Sequence, residues 1–330
     1  MKSVILLFTL LLAMRANAQT AGSVAGDDAS KAVVNSTTSS GLTTMHGENP
    51  SSPQDSLKQF TVAEGLEIEI IAAEPDIRQP VCLNFDERGR LWVVQYLQYP
   101  FPAGLKILAH DEHMRAVFDK VPEPPPHHTP GADKVTLFED RDGDGVFEAH
   151  KDFITGLNIA TSAISGRGGV YVMNPPYLLF YPDRNSDDVP DGDPEVLLDG
   201  FGLEDTHAAA NSLTWGPDGW LYGAQGSTCT ATIRDQKIFG QFSWRFHPTT
   251  REFEVFAEGA GNTFCLEFDR RGRLYSGTNY ANRRGSHYVQ GGFYERTFSK
   301  HGPFTNPYTY GYFPHMDHQG DEDRFSHSLI

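Results

Sequence analysis

The chain has 330 residues, a formal net charge of −16 and 39% hydrophobic residues. The excess of acidic side chains argues against a nucleic-acid or anionic-membrane partner, because both bind to basic patches on a protein. The length leaves room for a single large β domain after an N-terminal leader.

The N-terminal residues indicate export. Lys2 is followed by an apolar run over residues 4–14 and by the small-x-small sequence Ala16-Asn-Ala18, which together are typical of a cleaved signal peptide over residues 1–18. The apolar run is shorter than the roughly 20 residues that a transmembrane helix needs. We therefore expect an exported protein without a transmembrane helix, in the periplasm, at the cell surface or outside the cell.

The segments that follow differ sharply in composition. Residues 19–57 are rich in Ser, Thr, Gly, Ala and Asn, so we expect a disordered low-complexity linker before a folded domain at 58–330. Alternating apolar residues over 67–71 predict a strand that enters this domain. Residues 96–132 contain many prolines, which fit neither strand nor helix interiors, and they predict a long functional loop.

A short glycine motif recurs four times and predicts the architecture. In each copy Leu or Val and then an aromatic residue follow the glycine, which indicates a hairpin turn with positive φ. The glycines are 79, 51 and 53 residues apart, a spacing typical of propeller blades. We predict an all-β propeller of the six-bladed type with about four to five blades present, so that the chain is C-terminally incomplete or the ring closes unusually. The copies are Gly89-Arg-Leu-Trp92, Gly168-Gly-Val-Tyr171, Gly219-Trp-Leu-Tyr222 and Gly272-Arg-Leu-Tyr275.

Two acidic loops occupy the same point in consecutive blades. Each carries oxygen ligands at alternate positions, the arrangement that lets a turning loop surround Ca²⁺. Neither has Glu at the twelfth position of a complete EF-hand loop, so a solvated turn between outer strands is the alternative. We predict structural Ca²⁺ sites, with the ligands Asp140, Asp142, Asp144 and Glu148 in one loop and Asp183, Asn185, Asp187 and Asp191 in the other.

His207 is the candidate catalytic residue. The segment that contains it leads into the predicted innermost strand of the third blade, where the loops of a propeller meet the central channel. A histidine at this place can accept a proton near neutral pH. The alternative is a histidine that only forms a hydrogen bond to a neighbouring loop.

A family resemblance runs through the same segment. His207 followed by Gly-Pro-Asp-Gly-x-Leu-Tyr (216–222) resembles the segment with the catalytic base in quinoprotein glucose/sorbosone dehydrogenases, which are six-bladed propellers that use pyrroloquinoline quinone. More closely, the chain from Phe60 resembles a membrane-bound dehydrogenase domain of planctomycete and verrucomicrobial proteins. The matching pieces are Glu74-Pro75, Pro80-Val81, Gly89–Val93, Gln98–Pro100, Asp119–Pro122, Asp140–Gly145, Asn211–Tyr222, Trp244–Pro248, Gly259–Asn262 and Gln290–Gly292.

The resemblance also implies quinone contacts and shows a departure from them. The sugar dehydrogenases have an arginine that contacts the quinone, and Gly261 stands in its place here, next to Asn262. Arg283 and Arg284 could supply cationic groups from another loop in place of the missing arginine, so the candidate cofactor-binding residues are Asn262, Arg283 and Arg284.

These observations lead to one main hypothesis and two alternatives. The main one is an exported dehydrogenase-like propeller that oxidises CH–OH groups of a sugar or polyol, with pyrroloquinoline quinone and Ca²⁺ as cofactors. The sequence has no Cys-x-x-Cys-His haem motif, so an electron acceptor such as cytochrome c would be a separate protein or would lie in a part of the protein beyond this sequence. The alternatives are a non-catalytic propeller that binds carbohydrate or protein, and a metal-dependent lactonase, which would need acidic or amide ligands inside the channel.

Overall fold

The computed structural model describes residues 51–277 and 285–294. The predicted signal peptide, most of the predicted linker, Arg283 and Arg284, and the predicted end of the propeller beyond residue 294 lie outside these ranges. The chain divides into two compact units, with the boundary between Arg78 and Gln79.

The first unit includes one short helix, α1 (Pro53–Leu57), within residues 51–78. Ser52 caps it, because its hydroxyl accepts a hydrogen bond of 3.1 Å from the N–H of Asp55. The helix occupies the last residues of the predicted linker. The strand predicted over 67–71 is wrong, since these residues form no strand. Alternating apolar residues give a strand only when a neighbouring strand receives the backbone hydrogen bonds, and residues 51–78 contain no such strand.

The second unit consists of successive sheets with the topology of propeller blades. The first three blades contain four strands each and the fourth contains three, and in every blade neighbouring strands follow one another along the chain. Within each blade the pairing is antiparallel, and the short strand Gly292–Phe293 extends the third blade by pairing in parallel with its last strand. The prediction of an all-β propeller is confirmed, as a four-blade arrangement with almost no helix in the described part of the chain.

The strand bounds follow the predicted hairpins closely. In the first blade they are β1 (Pro80–Phe85), β2 (Leu91–Gln95), β5 (Asp133–Glu139) and β6 (Ala149–Leu157), and in the second β7 (Ser162–Ser165), β8 (Gly169–Asn174), β9 (Tyr177–Pro182) and β10 (Glu195–Leu198). In the third they are β11 (Asn211–Trp215), β12 (Leu221–Gln225), β15 (Phe242–Phe246) and β16 (Phe253–Glu258). The last strands are β17 (Leu266–Phe268), β18 (Leu274–Gly277), β19 (Gly285–Tyr288) and β20 (Gly292–Phe293).

Two small hairpins stand apart from the blade sheets: β3 (Ile107–His110) with β4 (Ala116–Phe118), and β13 (Thr230–Ile233) with β14 (Gln236–Phe239). The first lies inside residues 96–132, where the prolines predicted no strand, so that part of the prediction is wrong. The physical reason is the stretch between Pro102 and Pro122, which contains no proline and is long enough for a hairpin.

The four repeat glycines turn the innermost hairpins, as predicted. Their φ angles are 77° at Gly89, 80° at Gly168, 80° at Gly219 and 73° at Gly272, values that residues with a Cβ seldom adopt. Each turn joins the first and second strands of a blade, so the sequence motif marks the same structural position each time.

The hydrophobic core lies between neighbouring blades. Trp92 and Val135 of the first blade pack with Val172 of the second, and Trp244 of the third packs with Met173 of the second. Burying each such large side chain stabilises the fold by about 1.5–3 kcal/mol. This packing holds the inner strands in register, and their loops carry the site described below.

Polar groups also link the inner strands. The Ser162 hydroxyl accepts a 2.9 Å hydrogen bond from the N–H of Leu213, and the Ser212 hydroxyl accepts one of 2.8 Å from the N–H of Cys265. All three cysteines of the sequence are free thiols. Cys82 lies in β1 and Cys265 directly precedes β17, so they occupy equivalent inner positions in the first and fourth blades, although Cys265 is exposed.

Candidate functional site

His207 lies at the entrance to the inner strand of the third blade, four residues before β11. Its side chain is 70% exposed. A segment that is distant in sequence reaches it, because the Tyr99 hydroxyl forms a short hydrogen bond with the ring Nε2 of His207. The two rings meet edge to face with their centroids 5.2 Å apart.

A chain of polar contacts continues behind His207. Its Nδ1 lies 3.2 Å from Oδ1 of Asp205, and Oδ2 of Asp205 accepts a 2.5 Å hydrogen bond from the Thr228 hydroxyl. We call Tyr99, His207, Asp205 and Thr228 the Tyr–His–Asp cluster. It combines an exposed imidazole with a carboxylate that orients it, an arrangement in which the imidazole can accept or donate a proton.

The charge of Asp205 determines which atoms of the cluster carry protons. Burial raises the pKa of Asp205, but the hydrogen bonds from His207 and Thr228 outweigh this and lower the pKa to about 2. An ionised carboxylate only accepts hydrogen bonds, so Nδ1 of His207 carries the proton, and in a neutral ring Nε2 then accepts from Tyr99. Burial and the charge of Asp205 raise the pKa of Tyr99, which keeps the phenol protonated.

Hydrogen bonds hold the Tyr99 segment against the His207 segment. The Thr206 hydroxyl donates to the carbonyl of Pro100 at 2.9 Å, and the Tyr96 hydroxyl donates to the carbonyl of Thr206 at 3.1 Å. The Tyr96 ring also packs on the Tyr99 ring, with 5.2 Å between centroids. The residues on either side of the Tyr99–His207 contact are thus fixed to one another, which preorganises the contact.

Asn262, a predicted quinone contact, instead supports the backbone of His207 in this structure. Its Nδ2 donates to the carbonyl of His207 at 3.1 Å, and its Oδ1 accepts from the N–H of Ser227 at 3.1 Å. Gly226 permits this close approach, because a Cβ at that position would overlap Oδ1 of Asn262. The structure therefore brings Asn262 and His207 together, while a contact to a quinone stays a prediction.

The positive charge available to a polyanionic quinone is limited among the described residues around His207. Arg115 donates from Nη1 to the carbonyl of Thr228 at 3.1 Å, but its Nε is already paired with Asp111 at 2.6 Å. The predicted contacts Arg283 and Arg284 lie outside the described residues. By themselves, the described side chains do not fit a quinone with several carboxylates.

Sequence reasoning missed Tyr99, Asp205 and Thr228. Tyr99 lies within a matching piece of the resemblance, and Asp205 stands two residues before His207, so the sequence contained a signal for both. Their roles depend on the folding of the 96–132 loop onto the third blade, which no local pattern indicates. Thr228 had no signal in the sequence.

The first Asp loop, residues 140–148, connects β5 to β6 on the outer side of the first blade. Carboxylate oxygens of Asp140, Asp142 and Glu148 lie within 4.8 Å of one another. The backbone supports this arrangement, since the Asp140 carboxylate accepts hydrogen bonds from the N–H groups of Gly143 at 2.7 Å and Gly145 at 2.9 Å. Three converging carboxylates are the donor set that Ca²⁺ prefers, so this loop fits the predicted ion. Asp144, the fourth predicted ligand, accepts from the N–H of Val146 at 2.8 Å.

The second Asp loop, residues 183–191, connects β9 to β10 and has a similar pattern of backbone hydrogen bonds. Asp183 accepts from the N–H groups of Asp187 and Asp188 at 3.1 and 3.2 Å, and Asp191 accepts from the N–H of Arg184 at 2.8 Å. In the described part of the chain, its carboxylates do not form a cluster like that of the first loop.

Side-chain donors already face the second Asp loop. The Asn185 amide donates to Asp187 at 2.9 Å, and Nη1 of Arg90 lies 2.9 Å from Asp188. Arg90 belongs to the first blade, where it also pairs with Asp86 at 2.8 Å. Side chains therefore supply donors to the carboxylates of the second Asp loop, whereas among the described residues only backbone N–H groups donate to those of the first.

Comparisons with solved structures give distant likenesses. They include the calcium-binding protein regucalcin of Agrobacterium tumefaciens C58, with 12% identity, a TM-score of 0.38, and 60% of this chain and 53% of that chain covered. The PQQ-bound aldose sugar dehydrogenase of Streptomyces coelicolor has 15% identity, a TM-score of 0.39, and 66% and 62% covered. An oxidoreductase of Thermus thermophilus, assigned as a glucose dehydrogenase, has 15% identity, a TM-score of 0.37, and 72% and 69% covered. The chain thus spans 53% to 69% of the length of these proteins.

Two further comparisons concern the sequence. No curated protein matches it. A family model described as "Domain of unknown function (DUF7133)" matches residues 52–313. Within the described residues, no helix has both the length and the apolarity to cross a membrane.

Proposed function

The chain belongs to the DUF7133 family, a domain of unknown function, and we propose that its propeller oxidises CH–OH groups of a carbohydrate or polyol at the Tyr–His–Asp cluster. The observation that carries this proposal is the continuous hydrogen-bonded path from the Tyr99 hydroxyl through His207 to the ionised Asp205. Such a path moves a proton off a bound hydroxyl group at neutral pH.

The proposed proton transfer runs from the substrate hydroxyl through Tyr99 to His207. The substrate hydroxyl donates to the Tyr99 oxygen, and the Tyr99 proton passes to Nε2 of His207. Asp205 stabilises the resulting imidazolium through Nδ1, since its pKa of about 2 keeps it ionised. Thr228 and Asn262 keep the carboxylate and the His207 backbone in position.

The oxidation also needs a hydride acceptor. The resemblance to quinoprotein sugar dehydrogenases implies pyrroloquinoline quinone. Because the described side chains around His207 do not fit this cofactor by themselves, the proposal relies on Arg283 and Arg284 for its cationic contacts, and a separate cytochrome c would be the later electron acceptor. The signal peptide predicted over residues 1–18 supports the proposal that the protein is exported and acts in the periplasm, at the cell surface or outside the cell.

Ca²⁺ is the proposed metal, and its role is structural. Asp140, Asp142 and Glu148 would hold it in the first Asp loop, where their oxygens already converge. A bound cation there neutralises carboxylates on the outer strands of a blade. The second Asp loop is the weaker candidate, because Arg90 and Asn185 already supply donors to its carboxylates.

The test is reconstitution of the purified protein with pyrroloquinoline quinone and Ca²⁺, followed by dye-linked oxidation of a panel of sugars and polyols. Turnover that disappears in His207→Ala, with unchanged thermal unfolding, would support the proposal. Absence of both quinone binding and turnover would overturn it.

The same preparation tests the alternatives. Hydrolysis of sugar lactones in the presence of a divalent metal, without oxidation, would indicate a lactonase. Carbohydrate binding without any turnover would indicate a binding propeller.

A further inference from the structure

Asp133 is a buried carboxylate that lies next to the Tyr–His–Asp cluster but is distant from it in sequence. It is not part of the proton path described above. It is the first residue of β5 and is 0% exposed. A buried carboxylate is costly unless hydrogen bonds compensate it. Burial raises the pKa of Asp133 to about 6, although backbone N–H donors lower it.

The two oxygens of Asp133 bind two different segments. Oδ1 accepts a 2.5 Å hydrogen bond from the N–H of Gln98, the residue directly before Tyr99. Oδ2 accepts a 2.8 Å hydrogen bond from the N–H of Ala160. The next residue, Thr161, donates its hydroxyl to the carbonyl of Ala210, three residues after His207. One carboxylate thus connects the backbones on both sides of the Tyr99–His207 contact.

The side chain of Gln98 strengthens the first connection. Its Oε1 accepts from the N–H of Ala132 at 3.0 Å, next to Asp133, and its Nε2 donates to the carbonyl of Phe101 at 2.7 Å. Gln98, directly before Tyr99, is therefore fixed to the start of β5, and its side chain also holds the backbone after Tyr99 at Phe101. A displacement of about 1 Å at a catalytic group is enough to reduce a rate strongly.

We infer that Asp133 is a positioning residue, which holds Tyr99 against His207 by fixing the backbone at Gln98. The inference rests on the proposed role of Tyr99 and His207. It assigns Asp133 no contact with substrate. Its effect on the site is transmitted through the N–H of Gln98 and, on the other side, through Ala160 and Thr161.

The experiment reads the His207 ring directly, in full-length protein labelled with ¹⁵N-histidine, by long-range ¹H–¹⁵N correlation spectra. His207→Gln assigns the His207 signals. Tyr99→Phe gives the Nε2 shift expected when the phenol is lost. Asp133→Asn is expected to move the Nε2 signal in the same direction, by at least half as much. The matched control is Asp86→Asn, which removes a buried carboxylate from the β1–β2 turn and is expected to leave the His207 signals in place.

A wild-type Nε2 signal in folded Asp133→Asn would overturn the inference. Both Asp133→Asn and Asp86→Asn can lower the thermal stability, but only Asp133→Asn is expected to move the His207 ring signal. A general loss of stability is therefore distinguished from loss of the positioning contact. If Asp133→Asn does not fold, hydrogen exchange of the Gln98 amide in the wild-type protein tests the inference instead. The Gln98 N–H is then expected to exchange at least about 100-fold more slowly than in a peptide, and exchange at the peptide rate would overturn the inference.

These measurements use neither substrate nor quinone. A protein that shows no turnover but has the expected His207 shifts would contradict the proposed oxidation and leave the positioning role of Asp133 intact. An active protein in which Asp133→Asn leaves the His207 ring signals unchanged would support the proposed oxidation and contradict the positioning role of Asp133.

Discussion

The first Asp loop and the Tyr–His–Asp cluster both gather polar side chains, but their charges are balanced in different ways. In the loop, three carboxylates from nine consecutive residues converge, and backbone N–H groups are the donors around them. In the cluster, a single carboxylate is balanced by His207 and Thr228, which come from separate segments. Converging carboxylates repel one another until a cation binds, whereas the cluster is complete without one. We therefore expect a metal effect on stability from the loop and an effect on catalysis from the cluster.

The second Asp loop serves as an internal reference for this contrast. It repeats the backbone pattern of the first loop, but Arg90 and Asn185 provide side-chain donors to its carboxylates. The difference indicates that side chains supply donors to the carboxylates of this turn in the second blade, whereas the same turn in the first blade leaves three carboxylates close together.

The largest expected effect is on catalysis in the cluster. Tyr99→Phe removes the hydroxyl that faces His207, so turnover should fall by about 10²–10⁴-fold, the range of a lost acid–base group. Thermal unfolding should change little, because the ring still packs on Tyr96. The matched control is Tyr177→Phe, whose hydroxyl binds the carbonyl of Pro122 at 2.6 Å instead. Equal losses in the two variants would contradict the role of Tyr99.

The next effect concerns the first Asp loop. Ca²⁺ at about 100 times its dissociation constant should stabilise the protein by about 2.7 kcal/mol relative to the EDTA-treated form, since only the folded loop binds it. Asp142→Asn and Glu148→Gln should abolish this gain, while Asp187→Asn in the second loop should keep it. Urea unfolding with and without Ca²⁺ measures the difference. A Ca²⁺ gain that survives Asp142→Asn would place the ion elsewhere.

Acid should weaken the cluster through Asp205. Its pKa is lowered from the ordinary 3.8 to about 2 in the folded protein, so its contribution of about 2 kcal/mol is present above pH 4 and is lost as pH falls through 2. The stability difference between wild type and Asp205→Asn should therefore shrink between pH 5 and pH 2. Urea unfolding at fixed pH values measures it, and a difference independent of pH would contradict this assignment.

The smallest effect tests the side-chain balance of the second Asp loop. Arg90→Lys keeps the charge but cannot reach Asp86 and Asp188 together, so it should destabilise the protein by about 1 kcal/mol. Arg88→Lys, on the exposed side of the same turn, should change stability by less than about 0.5 kcal/mol. Urea unfolding measures both. Equal values for the two variants would show that the Arg90 bridge contributes nothing to the loop.

The contrast between the two regions also explains which features could be predicted from the sequence. The first Asp loop is contiguous, so the spacing of Asp140, Asp142 and Glu148 was enough to predict that their carboxylates converge, and the repeat glycines likewise mark local turns. The Tyr–His–Asp cluster depends on the packing of the 96–132 loop against the third blade, and only His207 had a local signal. The strand expected at 67–71 failed for the related reason that a strand depends on its partner as well as on its own pattern.

The most direct test of the central claim is a double-mutant cycle for Tyr99 and His207, with turnover measured in the dye-linked oxidation assay. If the two side chains act as one acid–base unit, Tyr99→Phe and His207→Ala combined should lower turnover no further than the more damaging single change. Losses that multiply in the double variant would contradict the account, because they would show that the two groups act independently.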